Sequence, residues 1–311
     1  KMARPWRTSL VLLVALYHVI SPLYISGEPI GRLAFTEEGT FKIIQFTDMH
    51  FGEPNGTEND AKSQEVMRSV LRAESDANLI MMSGDMVSGM KWNGTKGWFA
   101  ETYARVLVPL KEAGIPYVFI NGNHETEGDL SAREILELDR SLSRGQHGLS
   151  LMDRVATPSP GRIQSKTSGT NYRMAIYGWN KTAVLPSAIL WGLDSETVGC
   201  EGMPRSWGCV HPTVLEWLRA NAGNAPRVPM IAFVHIPPTE FVTMWSAGGV
   251  KNGTRGETTE CALLNTGTFA ALRALGVQSI YSGHDHSNDY VGEWHGVRLA
   301  YGRKTGYGSH G

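Results

Sequence analysis

Phe41-Lys42-Ile43-Ile44-Gln45-Phe46 runs directly into Thr47-Asp48-Met49-His50, and this junction governs the reading of the whole chain. A short apolar run that stops abruptly in polar side chains has the pattern of a strand buried on both faces. The pattern recurs four times. Leu79-Ile80-Met81-Met82 leads into Ser83-Gly84-Asp85, and Tyr117-Val118-Phe119-Ile120 into Asn121-Gly122-Asn123-His124-Glu125. Ile231-Ala232-Phe233-Val234 precedes His235, and Val277-Gln278-Ser279-Ile280-Tyr281 precedes Ser282-Gly283-His284-Asp285-His286.

Helix-compatible stretches lie between the first of these runs. Residues 60–78 carry Val66, Val70 and Leu71 at helical spacing; residues 98–113 carry Tyr103, Val106, Leu107 and Leu110. Pro109 is expected to bend or shorten the second helix. Residues 129–151 read as a charged helix with a looser tail, 157–169 as a Pro/Ser/Gly loop, and 171–178 and 188–193 as further strands. Residues 196–208 read as an irregular insertion on the active-site side. Alternating strands and helices argue for an α/β layered fold, in which ligands bind at loops on the carboxyl ends of strands. Every polar cluster quoted above sits at such an end. With no internal repeat and no clear linker, residues 28–311 are expected to form one domain.

The composition narrows the function classes. In 311 residues, 29 Lys+Arg balance 30 Asp+Glu for a formal net charge of −1, which argues against a strongly cationic nucleic-acid binder. Hydrophobic residues at 41% and charged residues at 19% suit a globular chain, and 35 glycines suit a loop-rich enzyme surface. Lys1 to Arg7 and the apolar run that follows read as a signal peptide over residues 1–27, with an uncleaved anchor as the alternative. Sequons begin at Asn55, Asn93, Asn180 and Asn252, as passage through the secretory pathway would allow. Cys200 and Cys209 could close a small loop disulfide; Cys261 is then left as a thiol, or pairs with one of them. The protein is expected to be secreted, with the vacuole or cell wall as alternative destinations.

The converging side chains are Asp48, His50, Asp85, Asn123, His235, His284 and His286. Carboxylate, amide oxygen and imidazole together suit Zn, Mn or Fe. Seven such groups are too many for one tetrahedral ion and suit two ions sharing a carboxylate. Such a pair can clamp a phosphoryl displacement and lower the pKa of bound water.

The ordered blocks Asp48-Met49-His50, Gly84-Asp85, Gly122-Asn123-His124-Glu125, Val234-His235 and Gly283-His284-Asp285-His286 resemble the calcineurin-like metallophosphoesterase superfamily. That resemblance implies a β-sandwich of two mixed sheets flanked by helices, with the active site at the carboxyl-end loops. It implies that Asp48, His50 and His286 hold one metal, that Asp85 bridges, and that Asn123, His235 and His284 complete the second. His124 then corresponds to the catalytic histidine, stabilising pentavalent phosphorus or protonating the leaving group, with a metal-bound hydroxide as nucleophile. Glu125 and Asp285 would orient imidazoles or stand as solvated loop carboxylates. The chain is most similar to the purple acid phosphatase-like branch, but Ser88 stands where the iron-binding tyrosine falls, and His50 is the compensating ligand. A colourless protein is expected.

The tail Gly302-Arg303-Lys304-Thr305-Gly306-Tyr307 also resembles this branch, with Arg303 or Lys304 meeting either a substrate phosphate or only water. His147, His211, His295 and His310 fit no block and are assigned surface or core roles. Trp92, Trp98 and Trp245 are read as packing residues, with a substrate platform as the open alternative. The expected function is phosphate-monoester hydrolysis on a small phosphorylated substrate. A phosphodiesterase or nucleotide hydrolase, and an inactive binding glycoprotein, are the alternatives. No nucleic-acid partner, and no membrane partner beyond the signal segment, is expected.

Overall fold

The structure, a computed structural model, describes residues 32–310 apart from 54–55, 145–147, 159–168, 181 and 223–227. The signal segment, Asn55, His147 and most of the 157–169 loop lie outside the described residues. The first half alternates as the sequence implies: β1 (Ile43–Phe46), α1 (Gly56–Ala73), β2 (Leu79–Met82), α2 (Trp98–Ala113), β3 (Tyr117–Phe119) and α3 (Ala132–Arg144). The chain continues through β4 (Tyr172–Tyr177), β5 (Pro186–Leu193), β6 (Val198–Cys200) and β7 (Met203–Trp207). Then come α4 (Pro212–Ala222), β8 (Met230–Val234), α5 (Glu240–Ser246), β9 (Val250–Asn252), α6 (Thr268–Leu275), β10 (Val277–Ser282), β11 (Val291–Trp294) and β12 (Val297–Tyr301).

Two sheets carry the architecture. β1, β2 and β3 pair in parallel in that order. The second sheet is mixed, with the order β4-β5-β8-β10-β12-β11-β9. Strand alternation sorts its side chains between two cores. Leu190 of β5 and Phe233 of β8 join Met67 of α1, Tyr103 and Leu107 of α2 and the β1–β3 residues. Ile189, Trp191, Ala232 and Val234 face the other way, onto Leu218 of α4, Phe241 of α5 and Leu272 of α6. The result is helices, sheet, sheet, helices, as the resemblance implied, but only the seven-stranded sheet is mixed; the β1–β3 sheet is wholly parallel, because helices α1 and α2 cross over between its strands.

Three local departures have physical causes. α2 does not stop at Pro109: it continues to Ala113, and Gly114 in the left-handed region caps it. The carbonyl that Pro109 leaves without a helical N–H is that of Arg105, and it accepts instead from Gln64 Nε2 at 2.8 Å. Residues 196–208 are no irregular insertion, because β6 and β7 pair antiparallel and a Cys200–Cys209 disulfide closes them. Asp139, in the charged helix, is fully buried yet satisfied: Tyr103 and Tyr117 hydroxyls donate to Oδ1 at 2.9 and 2.6 Å, and Ser150 to Oδ2 at 2.5 Å.

Candidate metal centre

The ends of β1, β2, β3, β8 and β10 deliver their polar blocks to one place. The loops after β1 and β2 stay zipped together: the Asp48 N–H donates to the Gly84 carbonyl at 3.0 Å, His50 to Asp85 at 2.9 Å and Phe51 to Met86 at 3.0 Å. Asp48, His50, Asp85 and His284 all adopt positive φ, at 52°, 49°, 50° and 75°. Non-glycine residues hold that conformation at a cost of roughly 1–3 kcal/mol each, and such strain clusters at functional sites. Gly84 is required where it stands, since a Cβ there would lie 2.4 Å from His235 Nδ1.

Two donor clusters result, Asp48 with His50 and His286, and Asp85 with His235 and His284; all six residues are buried. Within each cluster the donor atoms lie within 4.8 Å of one another. The hydrogen bonds fix which ring nitrogens are free. His50 Nδ1 donates to Ser88 Oγ at 2.8 Å, His286 Nδ1 to the His310 carbonyl at 2.7 Å, and His235 Nδ1 to the Ser83 carbonyl at 2.8 Å. Each ring therefore turns a lone pair on Nε2 inward. His50 Nε2 and His286 Nε2 then face each other at 3.0 Å. His235 Nε2 faces Asp85 Oδ2 and Asn123 Oδ1, both at 3.1 Å. His284 Nε2 is buried with no partner.

Acceptor set against acceptor in a buried site calls for a cation. The spacing fits one, because ligands about 2.1 Å from a shared ion and near a right angle apart are about 3 Å from each other. The charge balance asks for the same thing. Burial opposes charge on His235, yet Asp85 and Asp48 push its pKa up to about 10, so a proton fills that place in the metal-free chain. Burial holds His50 and His284 well below the usual imidazole range and lowers His286, keeping these rings neutral as metal ligation requires. Burial would raise Asp85, but His235 and its neighbours hold it well below the usual carboxylate range. Burial raises Asp48, against the pull of His235.

His124 stands beside both clusters. Its backbone N–H donates to Asp85 Oδ1 at 3.0 Å, and its ring centroid lies 5.5 Å from that of His50. Burial works against its charge, but the Glu127 hydrogen bond and Asp85 raise its pKa to about 9.

Glu125 and Asp285 differ from both expectations. Each is buried, and the described bonds of each run to the backbone or to a hydroxyl, not to an imidazole. Glu125 accepts from the N–H groups of Asp85, Met86, Val87 and Gly122, tying the second block to the third. Asp285 accepts from Tyr301 Oη and from the Glu260 N–H. The imidazoles are oriented instead by Ser88, expected only as the residue in place of a tyrosine, and by Glu127 and the carbonyls of Ser83 and His310, for which no such role was expected. His310, read as a surface or core residue, belongs to the site through its carbonyl, and its ring lies 4.4 Å from that of His286. Trp207 packs edge-on against His284, centroids 4.5 Å apart, whereas Trp92, Trp98 and Trp245 show no such contact with a named ligand. Arg303 is exposed and committed to the Ser287 carbonyl and Asp289. Lys304 is half-buried, donates to the Gly306 carbonyl and sits in the field of Asp48 and Glu53. The sequon residues Asn93, Asn180 and Asn252 are exposed.

A model of the calcineurin-like phosphoesterase family matches residues 41–288. An Arabidopsis thaliana protein named probable inactive purple acid phosphatase 28 is 28% identical over 309 residues, 90% of this chain and 74% of its own length. A Saccharomyces cerevisiae protein named phosphatase DCR2 is 26% identical over 310 residues, 88% of this chain and 50% of its own. Among solved structures, a dimetal phosphatase from Danio rerio superposes with a TM-score of 0.55 at 14% identity, covering 85% of this chain and 88% of that one. That likeness bears on the fold.

Proposed function

The chain belongs to the calcineurin-like phosphoesterase family, and on that premise we propose that it is a dinuclear-metal phosphatase acting on phosphate monoesters. The observation that carries the reading is the pair of donor clusters side by side, Asp48–His50–His286 and Asp85–His235–His284, with His124 on their rim. Asn123 joins the second cluster through its amide oxygen. Some relatives are named inactive, but every one of these eight groups is present here.

Two bound ions would supply a lowered pKa for an attacking water and neutralisation of the phosphoryl oxygens. The protein's own residues do the rest. Glu127 accepts from His124 Nδ1 at 2.5 Å, so the transferable proton is the one on Nε2. As water attacks phosphorus and the ester P–O bond breaks, that proton passes to the leaving oxygen, giving alcohol and phosphate, and solvent reprotonates the ring. Asp85, with its backbone tied to Glu125 and Oδ2 near both His235 Nε2 at 3.1 Å and His50 Nε2 at 3.6 Å, would be the carboxylate shared between the two ions. Iron, manganese and zinc all suit this donor set.

The reading extends to secretion. It rests on the Cys200–Cys209 disulfide and the exposed sequons at Asn93, Asn180 and Asn252. No helix among the described residues is long and apolar enough to cross a membrane.

The test is elemental analysis of the purified chain beside turnover of a chromogenic phosphate monoester and a diester, with Asp85→Ala as control. About two metals per chain and monoester turnover lost in the control are expected. Faster diester turnover would overturn the substrate class, and metal binding without turnover would turn the reading to an inactive binding protein.

A further inference from the structure

A chain of hydrogen bonds leaves the metal cluster in a direction that the proposed catalysis does not use. His50 Nδ1 donates to Ser88 Oγ at 2.8 Å, and the Ser88 hydroxyl donates onward to Glu53 Oε1 at 2.6 Å. His50 and Ser88 are buried, and the Glu53 side chain is only 10% exposed. Lys91 Nζ stands 3.9 Å from the second Glu53 oxygen.

We propose that Glu53 and Ser88 are positioning residues that fix His50 as an Nε2 donor and set how tightly the Asp48–His50–His286 cluster holds its metal. The inference rests on the dinuclear-metal reading. Three physical points carry it. First, Ser88 has one hydroxyl proton, and it is spent on Glu53, so toward His50 the oxygen can only accept. That excludes the Nδ1-lone-pair tautomer. Second, the carboxylate polarises the serine oxygen, which makes it a better acceptor and the imidazole a stronger donor to a cation. Third, His50 is buried and held at positive φ, so water does not compete for its Nδ1–H, while its Nε2 faces the other donors of the site, His286 Nε2 at 3.0 Å and Asp85 Oδ2 at 3.6 Å. The neighbouring ligand His286 is held by a backbone carbonyl instead, and His235 by another. Among the described residues, His50 is the one metal-site histidine that a side-chain carboxylate reaches through a hydroxyl relay.

The relay also links two local features of the sequence. His50 supplies an imidazole from the first block, and Ser88 comes three residues after Asp85 in the second. A small side chain at position 88 leaves room for the His50 ring, and a hydroxyl there holds it.

The test uses the full chain, stripped of metal and titrated with zinc against a competing chelator, in wild type, Ser88→Ala, Ser88→Thr and Glu53→Gln. Wild type is expected to take up two ions. Ser88→Ala is expected to weaken one of the two sites by about 10–100-fold, with the other within about two-fold. Ser88→Thr, which keeps the hydroxyl, restores most of the loss. Glu53→Gln, which keeps an acceptor but removes the charge, falls between. Nitrogen-detected NMR of His50 gives a second readout: the Nδ1–H tautomer of wild type becomes a mixture in Ser88→Ala. A folded Ser88→Ala chain with both affinities unchanged overturns the proposal, and so does equal weakening of both sites. Should Ser88→Ala not fold, Glu53→Gln decides alone, since unchanged zinc affinity in it overturns the relay. Failure of the underlying reading is distinguishable, because wild type itself would then bind no zinc pair.

Discussion

His124 and Glu127 form a close pair one helical turn apart, with Nδ1 2.5 Å from the carboxylate, on the short turn that follows the third polar block. In the metal-free chain this contact, with Asp85, outweighs burial and holds the imidazolium to a pKa of about 9. The folded value lies above the unfolded one. The pair therefore stabilises the fold fully below the ordinary imidazole pKa, and its contribution is lost as pH rises through about 9. Glu127→Gln is expected to lower the His124 pKa, read by NMR titration. It should also lower the melting temperature at about pH 6 while leaving it unchanged at about pH 10. A His124 pKa indifferent to Glu127→Gln would refute the assignment.

The same pair predicts a leaving-group effect. General acid catalysis is worth roughly 10²–10⁴-fold, and it matters most when the departing oxygen is basic. His124→Asn is expected to cut turnover of an alkyl phosphate by that factor and turnover of a nitrophenyl phosphate by much less, with zinc uptake unchanged. Equal losses on both substrates would reassign His124 to charge stabilisation alone.

The strands that end in ligands were legible because each is a short, largely apolar run that stops at a chemically distinctive block, although only β2 and β3 are buried on both faces throughout, while β1 and β10 leave Gln45 and Gln278 less covered. β1, β2, β3, β8 and β10 all have this form. What escaped the sequence has no such contrast. β6 and β7 expose Val198, Met203, Pro204 and Arg205, so their residues carry no buried-strand pattern. The α5 and α6 helices have seven and eight residues, too short for a periodic signal to stand out. In the site, the ligands were readable and their supports were not. Ser83 and His310 act through carbonyls, which any residue type could supply. His310 lies 24 positions from His286, and only the fold brings them together. Ser88 was noted for what it replaces, whereas its hydrogen bond to His50 depends on the two zipped loops.

Gly84 offers a prediction about the site's tolerance. Its φ of 102° is strained for any side chain, and a Cβ would meet His235 Nδ1 at 2.4 Å and Gly122 Cα at 2.8 Å. Gly276 also has positive φ, 88°, but nothing within 4 Å. Gly276→Ala is expected to cost about 1 kcal/mol of stability, with zinc uptake unchanged. Gly84→Ala should cost more than Gly276→Ala, because both close neighbours resist moving, and should also displace His235. Melting curves and zinc titration of the two variants test this. Equal zinc affinity in both would show that His235 can shift without penalty.

The Cys200–Cys209 disulfide closes a hairpin that buries little of its own surface, yet that hairpin carries Trp207 against the ligand His284. Its other ties include the Leu263 N–H donating to Ser206 Oγ at 2.9 Å, Cys200 Sγ 3.9 Å from the Leu264 carbonyl, and a partly exposed Glu201–His211 pair at 3.3 Å, each modest. The cross-link should therefore do much of the work of keeping Trp207 in place. A loop of this length is worth roughly 2–3 kcal/mol. Replacing both cysteines by alanine is expected to lower stability by that amount. It should also weaken zinc at the Asp85–His235–His284 cluster, because His284 loses the indole that holds its ring over the site. The Asp48–His50–His286 cluster, oriented by Ser88 and the His310 carbonyl, should keep its affinity. Paired melting curves and zinc titrations of the double variant read both effects. If stability falls and both affinities persist, Trp207 is packing and the disulfide acts on the fold alone.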